Sequence, residues 1–288
     1  MTDFTDQRRT SFDAAAQLYD DARPGYPERM VDVVVAYSQV QPGARALEIG
    51  AGTGQATAQF AWRGISVHAV EPGAAMADFI RDKFGGAELE VTVETADLET
   101  AVLEPGAFDL VFASTSWHWL TPGVRWTIVA DALKPGGTLA AFWNIPHWRR
   151  TALCPQLDVV YRRSGADLSQ LGPMAAADVE HAALMAEWAN DAPDRDAFTD
   201  YRGAQFAWSE TYSADDYVAL LGTYGDHLTL DDQIRERLFA EIGDVIDQHG
   251  GTIELPYTTH LLVARDARDA GATRDAPRST RPATSNDV

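Results

Sequence analysis

The residues with the most evident chemistry lie at positions 47–54, Leu-Glu-Ile-Gly-Ala-Gly-Thr-Gly, where an apolar run meets three glycines at alternate positions. Glycine takes positive φ in a tight turn and lets a ligand approach bare backbone. A helix that starts after such a turn offers unpaired N–H groups and the positive end of its dipole. A phosphate-cradling loop would need Gly-Lys-Ser/Thr next, and that is absent. A dinucleotide loop asks for G-x-G-x-x-G/A. Gly50, Gly52 and Gly54 supply G-x-G-x-G, and Ala56 lies near enough to keep that reading open. Glu71 ends the next apolar run, 17 residues after Gly54, where a carboxylate accepts from both ribose hydroxyls. An acid there serves more than one class of nucleoside-binding fold, so it does not choose between them.

The elements that must hold this loop form an alternation. Strands are expected at RALEIG (45–50), SVHAVEP (66–72), 89–94, 108–113 and 138–143, with helices at 55–63, 73–84 and 124–133 between them. Strands separated by helix-length spacers predict βαβ units with right-handed crossovers. The nearly continuous apolar character of Ala46-Leu47-Glu48-Ile49 and Leu110-Val111-Phe112 fits a parallel sheet covered on both faces.

From about 146 to 198 the alternation stops, and two helices are expected, at 154–165 and 175–190. A strand at 204–213, helices at 215–221 and 230–249, and a long strand at 252–266 follow. The expected organisation is an N-terminal flap (1–30), an α/β core (31–145), a helical lid or substrate insertion (146–198), completion of the core (199–266) and a disordered tail (267–288). Within the first of these, 11–29 reads as a short helix, an Arg-Pro-Gly-Tyr-Pro elbow and a helix from Pro27, a residue at home in a first turn.

Composition excludes several classes. Acidic residues outnumber basic ones 43 to 23, a formal charge of −20, which repels phosphate backbones and argues against nucleic acid as partner. No run of 18 apolar residues suggests a membrane span. No apolar secretory segment precedes the core, and with a single cysteine, Cys154, the chain is expected to be cytoplasmic, without a disulfide framework.

Beyond the glycine loop and Glu71, four segments share one order: the elbow from Tyr19 through Arg23 and Tyr26 to Pro27, Ala96-Asp97-Leu98, FDLVFASTSWHWL (108–120) and Leu133-Lys134-Pro135-Gly136-Gly137. In this combination the chain resembles the class I S-adenosylmethionine-dependent methyltransferases of small molecules. The resemblance implies a Rossmann-like, seven-stranded, mostly parallel sheet in the order 3-2-1-4-5-7-6, with strand seven antiparallel. It implies S-adenosyl-L-methionine as cofactor and S-adenosyl-L-homocysteine as product. Contacts to the cofactor are implied for Tyr19 and Arg23 of the flap, for Glu48, Gly50, Ala51, Gly52, Thr53 and Gly54, for Glu71, Pro72 and Met76, for Asp97 and Leu98, and for Ser114 and Trp117. Tyr26, Trp119, Trp143, Asn144 and Trp148 are expected to wall an aromatic or apolar acceptor.

Methyl transfer is an in-line displacement whose reactivity belongs to the cofactor. The protein aligns the acceptor, excludes water and, where needed, removes a proton. His118, in Ser116-Trp117-His118-Trp119, is the expected base, with a structural role the alternative. No compact Asp/Asp/Asn set accompanies Asp109 and Asn144, so no metal is expected. A cofactor-binding relative that uses the site for non-methylating chemistry or for binding only and, more remotely, a nicotinamide oxidoreductase are the competing readings. The acceptor and the oligomeric state, monomer or homodimer, are left open.

Overall fold

A computed structural model describes residues 16–164 and 197–268. Seven strands form one sheet in the order β3-β2-β1-β4-β5-β7-β6. They are β1 (Arg45–Ile49), β2 (Ser66–Val70), β3 (Val91–Glu94), β4 (Phe108–Ser114), β5 (Leu133–Pro146), β6 (Phe198–Ser213) and β7 (Thr252–Asp266). The neighbours from β3 to β5 pair in parallel, and β7 runs antiparallel to both β5 and β6. The helices are α1 (Ala16–Ala22), α2 (Glu28–Ser38), α3 (Gln55–Ala61), α4 (Ala74–Phe84), α5 (Val124–Ala132), α6 (Cys154–Ser164), α7 (Ala214–Leu221), α8 (Gly225–Leu228) and α9 (Asp232–Gln248).

The apolar strands are covered on both faces, as their sequence requires. Leu47, Ile49, Val111 and Leu139 pack against Trp126 and Val129 of α5 on one side. Ala46, Leu110, Phe112 and Phe142 meet Phe60 of α3 and Met30, Val31 and Val34 of α2 on the other. A third apolar cluster joins the second half of the chain. There Leu238, Ile242 and Ile246 of α9, one face of a helix by their spacing of four, pack with Tyr217 of α7, Tyr257 of β7 and Leu157 and Tyr161 of α6. Side-chain caps start two of these helices. Ser213 accepts from Asp216 N at α7, and Asp231 from Gln233 N and Ile234 N at α9, which satisfies donors that a helix start leaves open.

Several boundaries depart from expectation. β5 begins at Leu133 rather than 138, because Leu133 already pairs with Phe108 across a shift in register. β6 begins at Phe198 rather than 204, since Phe198 and Thr199 pair with Asp266 and Arg265 of β7. Order also continues past 266. Arg268 donates to Asp266 Oδ1 at 2.7 Å and to the carbonyls of Ala130 and Leu133 at 2.7 and 2.6 Å. The first part of the expected insertion is core: Trp148, Leu153, Leu157, Val160 and Tyr161 are buried in the third cluster. The helix expected at 175–190, residues 1–15 of the flap and the tail beyond 268 lie outside the described residues. No described helix is long and apolar enough to cross a membrane.

Candidate functional site

A cavity of about 530 Å³ opens at the carboxyl ends of β1, β2, β4 and β5, where open α/β sheets bind ligands. The glycine loop forms its floor. Gly50, Gly52 and Gly54 all have positive φ, at 64°, 60° and 81°. At Gly50 the need is also one of space, since a Cβ would come 2.6 Å from Ser116 Cβ. Ser116 in turn donates to the Ile49 carbonyl, which ties the loop after β4 to the end of β1. At Gly52 the nearest atom to an added Cβ is the Tyr19 ring, at 3.8 Å. Bare backbone here keeps open the space beneath the flap.

Glu71 stands at the end of β2 with both carboxylate oxygens oriented by main chain. Oε2 accepts from Gly52 N and Oε1 from Gly73 N, each at 2.8 Å. A carboxylate accepts at about four positions, so these two bonds aim the group at the cavity it lines. Pro72, Met76, Asp97, Leu98 and Ser114 share the same wall.

Glu48, expected at the cofactor, lies fully buried beneath the loop, where it accepts from Thr57 Oγ1 and from Ser114 Oγ. Burial pushes its carboxyl up from an ordinary 4.5 to about 8, against the two hydroxyl bonds and with the repulsion of Glu71. The folded chain therefore binds one more proton than the unfolded chain between about pH 4.5 and 8. That contribution to stability is complete below the window, falls as pH rises through it and is gone above it. We expect Glu48→Gln to flatten the fall in denaturation midpoint between pH 5 and 8.5. Parallel slopes for the two proteins would remove Glu48 as its source.

The segment from α1 to Pro27 borders the cavity through Tyr19 and Arg23. Arg23 donates through Nε to Thr223 Oγ1 (2.7 Å) and through Nη2 to the Thr223 carbonyl (3.1 Å), with its guanidinium 3.9 Å from the Tyr224 ring centroid. Gln55 Nε2 donates to the Asp20 and Arg23 carbonyls, Gln59 Nε2 to the Tyr26 carbonyl, and Asn144 Nδ2 to the Gly25 carbonyl at 2.9 Å. Tyr26 shares a hydrogen bond with Thr115 Oγ1 (2.9 Å) and packs edge-on against Phe142. Thr115 itself has φ 55°, a strained setting for a β-branched residue and one that clusters at functional sites.

Two of the expected acceptor-wall residues, Trp119 and Asn144, line the cavity, as do Tyr19, Arg23 and His118. The others are placed differently. Trp148 is core, edge-on to Tyr217 and Tyr224. Tyr26 is bonded to Thr115 and Trp143 donates to His118 Nδ1, while Trp117, expected at the cofactor, is buried against Trp126. Ala51, Thr53 and Gly54 shape the loop without lining the cavity.

His118 lines the cavity within reach of one indole. Indole nitrogen only donates, so the bond from Trp143 Nε1 to His118 Nδ1 (3.3 Å) occupies the lone pair of the neutral ring and places its proton on Nε2. Desolvation, with Arg125 adding like-charge repulsion, lowers the imidazolium to about 4. Sequence reasoning missed Thr115, Tyr224 and Gly225, which also line it. The pair Gly222 and Gly225 between two helical stretches was the available signal for the last two. Among the described residues no group of three potential metal ligands is present.

Residues 46–137 match the model of a methyltransferase domain family. An uncharacterised methyltransferase of Mycobacterium tuberculosis is 35% identical over 135 residues, 46% of this chain and 52% of the relative. The chain thus spans about half the length of that relative. A second, from Schizosaccharomyces pombe, is 26% identical over 233 residues, 79% of this chain and 84% of its own. Two solved structures share the fold. One is a candidate type II methyltransferase from Anaeromyxobacter dehalogenans (TM-score 0.58, 23% identity, 84% of this chain and 97% of that one). The other is the Haemonchus contortus phosphoethanolamine N-methyltransferase 2 bound to phosphomonomethylethanolamine and S-adenosylhomocysteine (TM-score 0.53, 17% identity, 92% of this chain and 60% of that one). Residues 46–137 are thus similar to a methyltransferase domain, and the two solved structures share the chain's fold.

Proposed function

We propose that this chain binds S-adenosylmethionine in the cavity and catalyses transfer of its methyl group to a small-molecule acceptor. The observation that carries the reading is the division of charge along one cavity: Glu71 and Asp97 at the ends of β2 and β3, Arg23 on the flap. The carboxylates suit ribose hydroxyls and an adenine amino group, and the positive charge of Arg23 suits the methionyl carboxylate. The open backbone at Gly52 fits the same occupant. The bound cofactor supplies a sulfonium methyl open to in-line attack.

The chain's own residues do the rest. Glu71 orients the ribose, the flap excludes water, and the Trp119–Leu120 segment with Asn144 bounds the acceptor. His118 enters as a fixed N–H donor, with Trp143 setting its tautomer. Turnover should therefore show no inflection near pH 6.5, the pH at which an ordinary histidine base would titrate. A bell or step centred there would restore His118 as the base. The general test is calorimetry with S-adenosylmethionine, followed by transfer of a labelled methyl into a metabolite panel. Tight binding without transfer to any acceptor supports the competing reading of a cofactor-binding protein, and absence of binding defeats both.

A further inference from the structure

We infer that Thr259 and Trp208, which do not line the cavity, are positioning residues for the cofactor: through Asn144 they set the direction of the hydrogen bond that holds the elbow between Arg23 and Tyr26. The inference rests on the proposed cofactor site and concerns what keeps one border of it in place.

Three hydrogen bonds run in line from the edge strand to the elbow. Trp208 Nε1 lies 2.9 Å from Thr259 Oγ1, Thr259 Oγ1 lies 2.7 Å from Asn144 Oδ1, and Asn144 Nδ2 lies 2.9 Å from the Gly25 carbonyl. The two ends fix the direction of everything between them. An indole nitrogen only donates and a carbonyl only accepts. The Thr259 hydroxyl therefore accepts from Trp208 and gives its own proton to Oδ1, and the amide turns its NH2 group to Gly25. No other assignment satisfies all three contacts.

The sheet register places this line. Asn144 of β5 stands opposite Thr259 of β7, and Trp208 of β6 stands opposite Tyr257, two residues from Thr259 and so on the same face. The Trp208 ring is stacked on Tyr257, with centroids 4.6 Å apart and planes at 14°, and Tyr257 and Thr259 are buried. The donor that starts the line is thus held in place. Its direction matters because the two ends of a carboxamide are alike in size, so Asn144 turns over at little steric cost. Turned over, it would set Oδ1 against the Gly25 carbonyl, acceptor facing acceptor, and the tie would become a repulsion. The elbow lies between Arg23, bonded to Thr223, and Tyr26, bonded to Thr115. Since Arg23 lines the cavity, a loosened elbow weakens the grip on whatever Arg23 holds.

A double-mutant cycle on the full chain tests this by calorimetry with S-adenosylmethionine. Thr259→Val keeps the shape and removes the hydroxyl. It should bind about threefold to tenfold more weakly, as loss of one oriented hydrogen bond predicts, while Thr259→Ser keeps the parent affinity. Asn144→Ala should show a similar loss, and adding Thr259→Val to it should cost nothing further. Unchanged affinity in Thr259→Val, or losses that add in the double variant, overturns the relay. Trp208→Phe keeps the stack on Tyr257 and loses the N–H. It should weaken binding about twofold to threefold, and not at all beside Asn144→Ala. Equal affinity of Trp208→Phe and the parent removes Trp208 from the line. Thr259→Ala repeats the cycle if the valine disturbs folding. A second readout needs no ligand: amide hydrogen exchange over residues 18–26 should be faster in Thr259→Val than in the parent, and equal in Asn144→Ala with and without it. Equal exchange in Thr259→Val and the parent overturns the relay whatever the cavity binds. Absence of binding by the parent protein defeats the cofactor reading instead, and the exchange rates then decide the relay alone.

Discussion

Replacement of Glu71 by alanine is expected to lower affinity for S-adenosylmethionine by tenfold to a few hundredfold. Hydrogen bonds to a charged acceptor contribute about 1.5–3 kcal/mol each, and the proposed ribose contacts number two. The variant also loses the anchor that Gly52 N and Gly73 N share at 2.8 Å, so the glycine loop loosens where it must be rigid. Glu71→Gln should fall between, since its amide keeps one acceptor oxygen and turns the other position into a donor. Calorimetry on the three proteins checks this, with circular dichroism to show that each is folded. Unchanged affinity in the alanine variant would remove Glu71 from the ribose site.

A larger loss is expected from deletion of residues 1–25: turnover should fall at least about a thousandfold, within the range attributed to positioning of reactants, while the sheet remains folded. The deletion removes Arg23 from Thr223, the Asp20 and Arg23 carbonyls from Gln55, and the Gly25 carbonyl from Asn144. It keeps Tyr26 with its edge-on contact to Phe142 and its bond to Thr115. Far-ultraviolet dichroism and a cooperative denaturation curve report on the sheet, and labelled-methyl transfer reports on the site. Normal turnover in the shortened protein would show that the flap takes no part.

The strands next to the glycine loop were legible because their chemistry is local. Buried runs such as 46–49 and 110–112 have one plausible environment, and the turn at 50–54 demands glycine wherever φ is positive. What escaped depends on contacts distant in sequence. The early starts of β5 and β6 are set by pairing with Phe108 and with Asp266, which no periodicity within either strand encodes. Trp148 reads as a pocket aromatic from its place after a strand end, yet Tyr217 and Tyr224, some 70 residues later, take it into the core. His118 is the clearest case. Its residue type suggested a base, and only the indole of Trp143, 25 positions away, reveals which nitrogen carries the proton. Tyr224 and Gly225 belong to the site through their approach to Arg23, a contact across 200 residues.

The clasp on Arg23 also bears on the rhythm of turnover. Thr223 sits at the end of α7, Gln55 and Gln59 on α3, and Asn144 on β5, so three separate parts of the body grip one short segment. They cannot let go one at a time without leaving strained partners behind, and the segment should swing as a single gate. Spent cofactor would then leave only when the whole gate lifts, on the slow timescale of such collective motions. The pause between catalytic cycles, rather than the bond exchange itself, would set the pace of the enzyme.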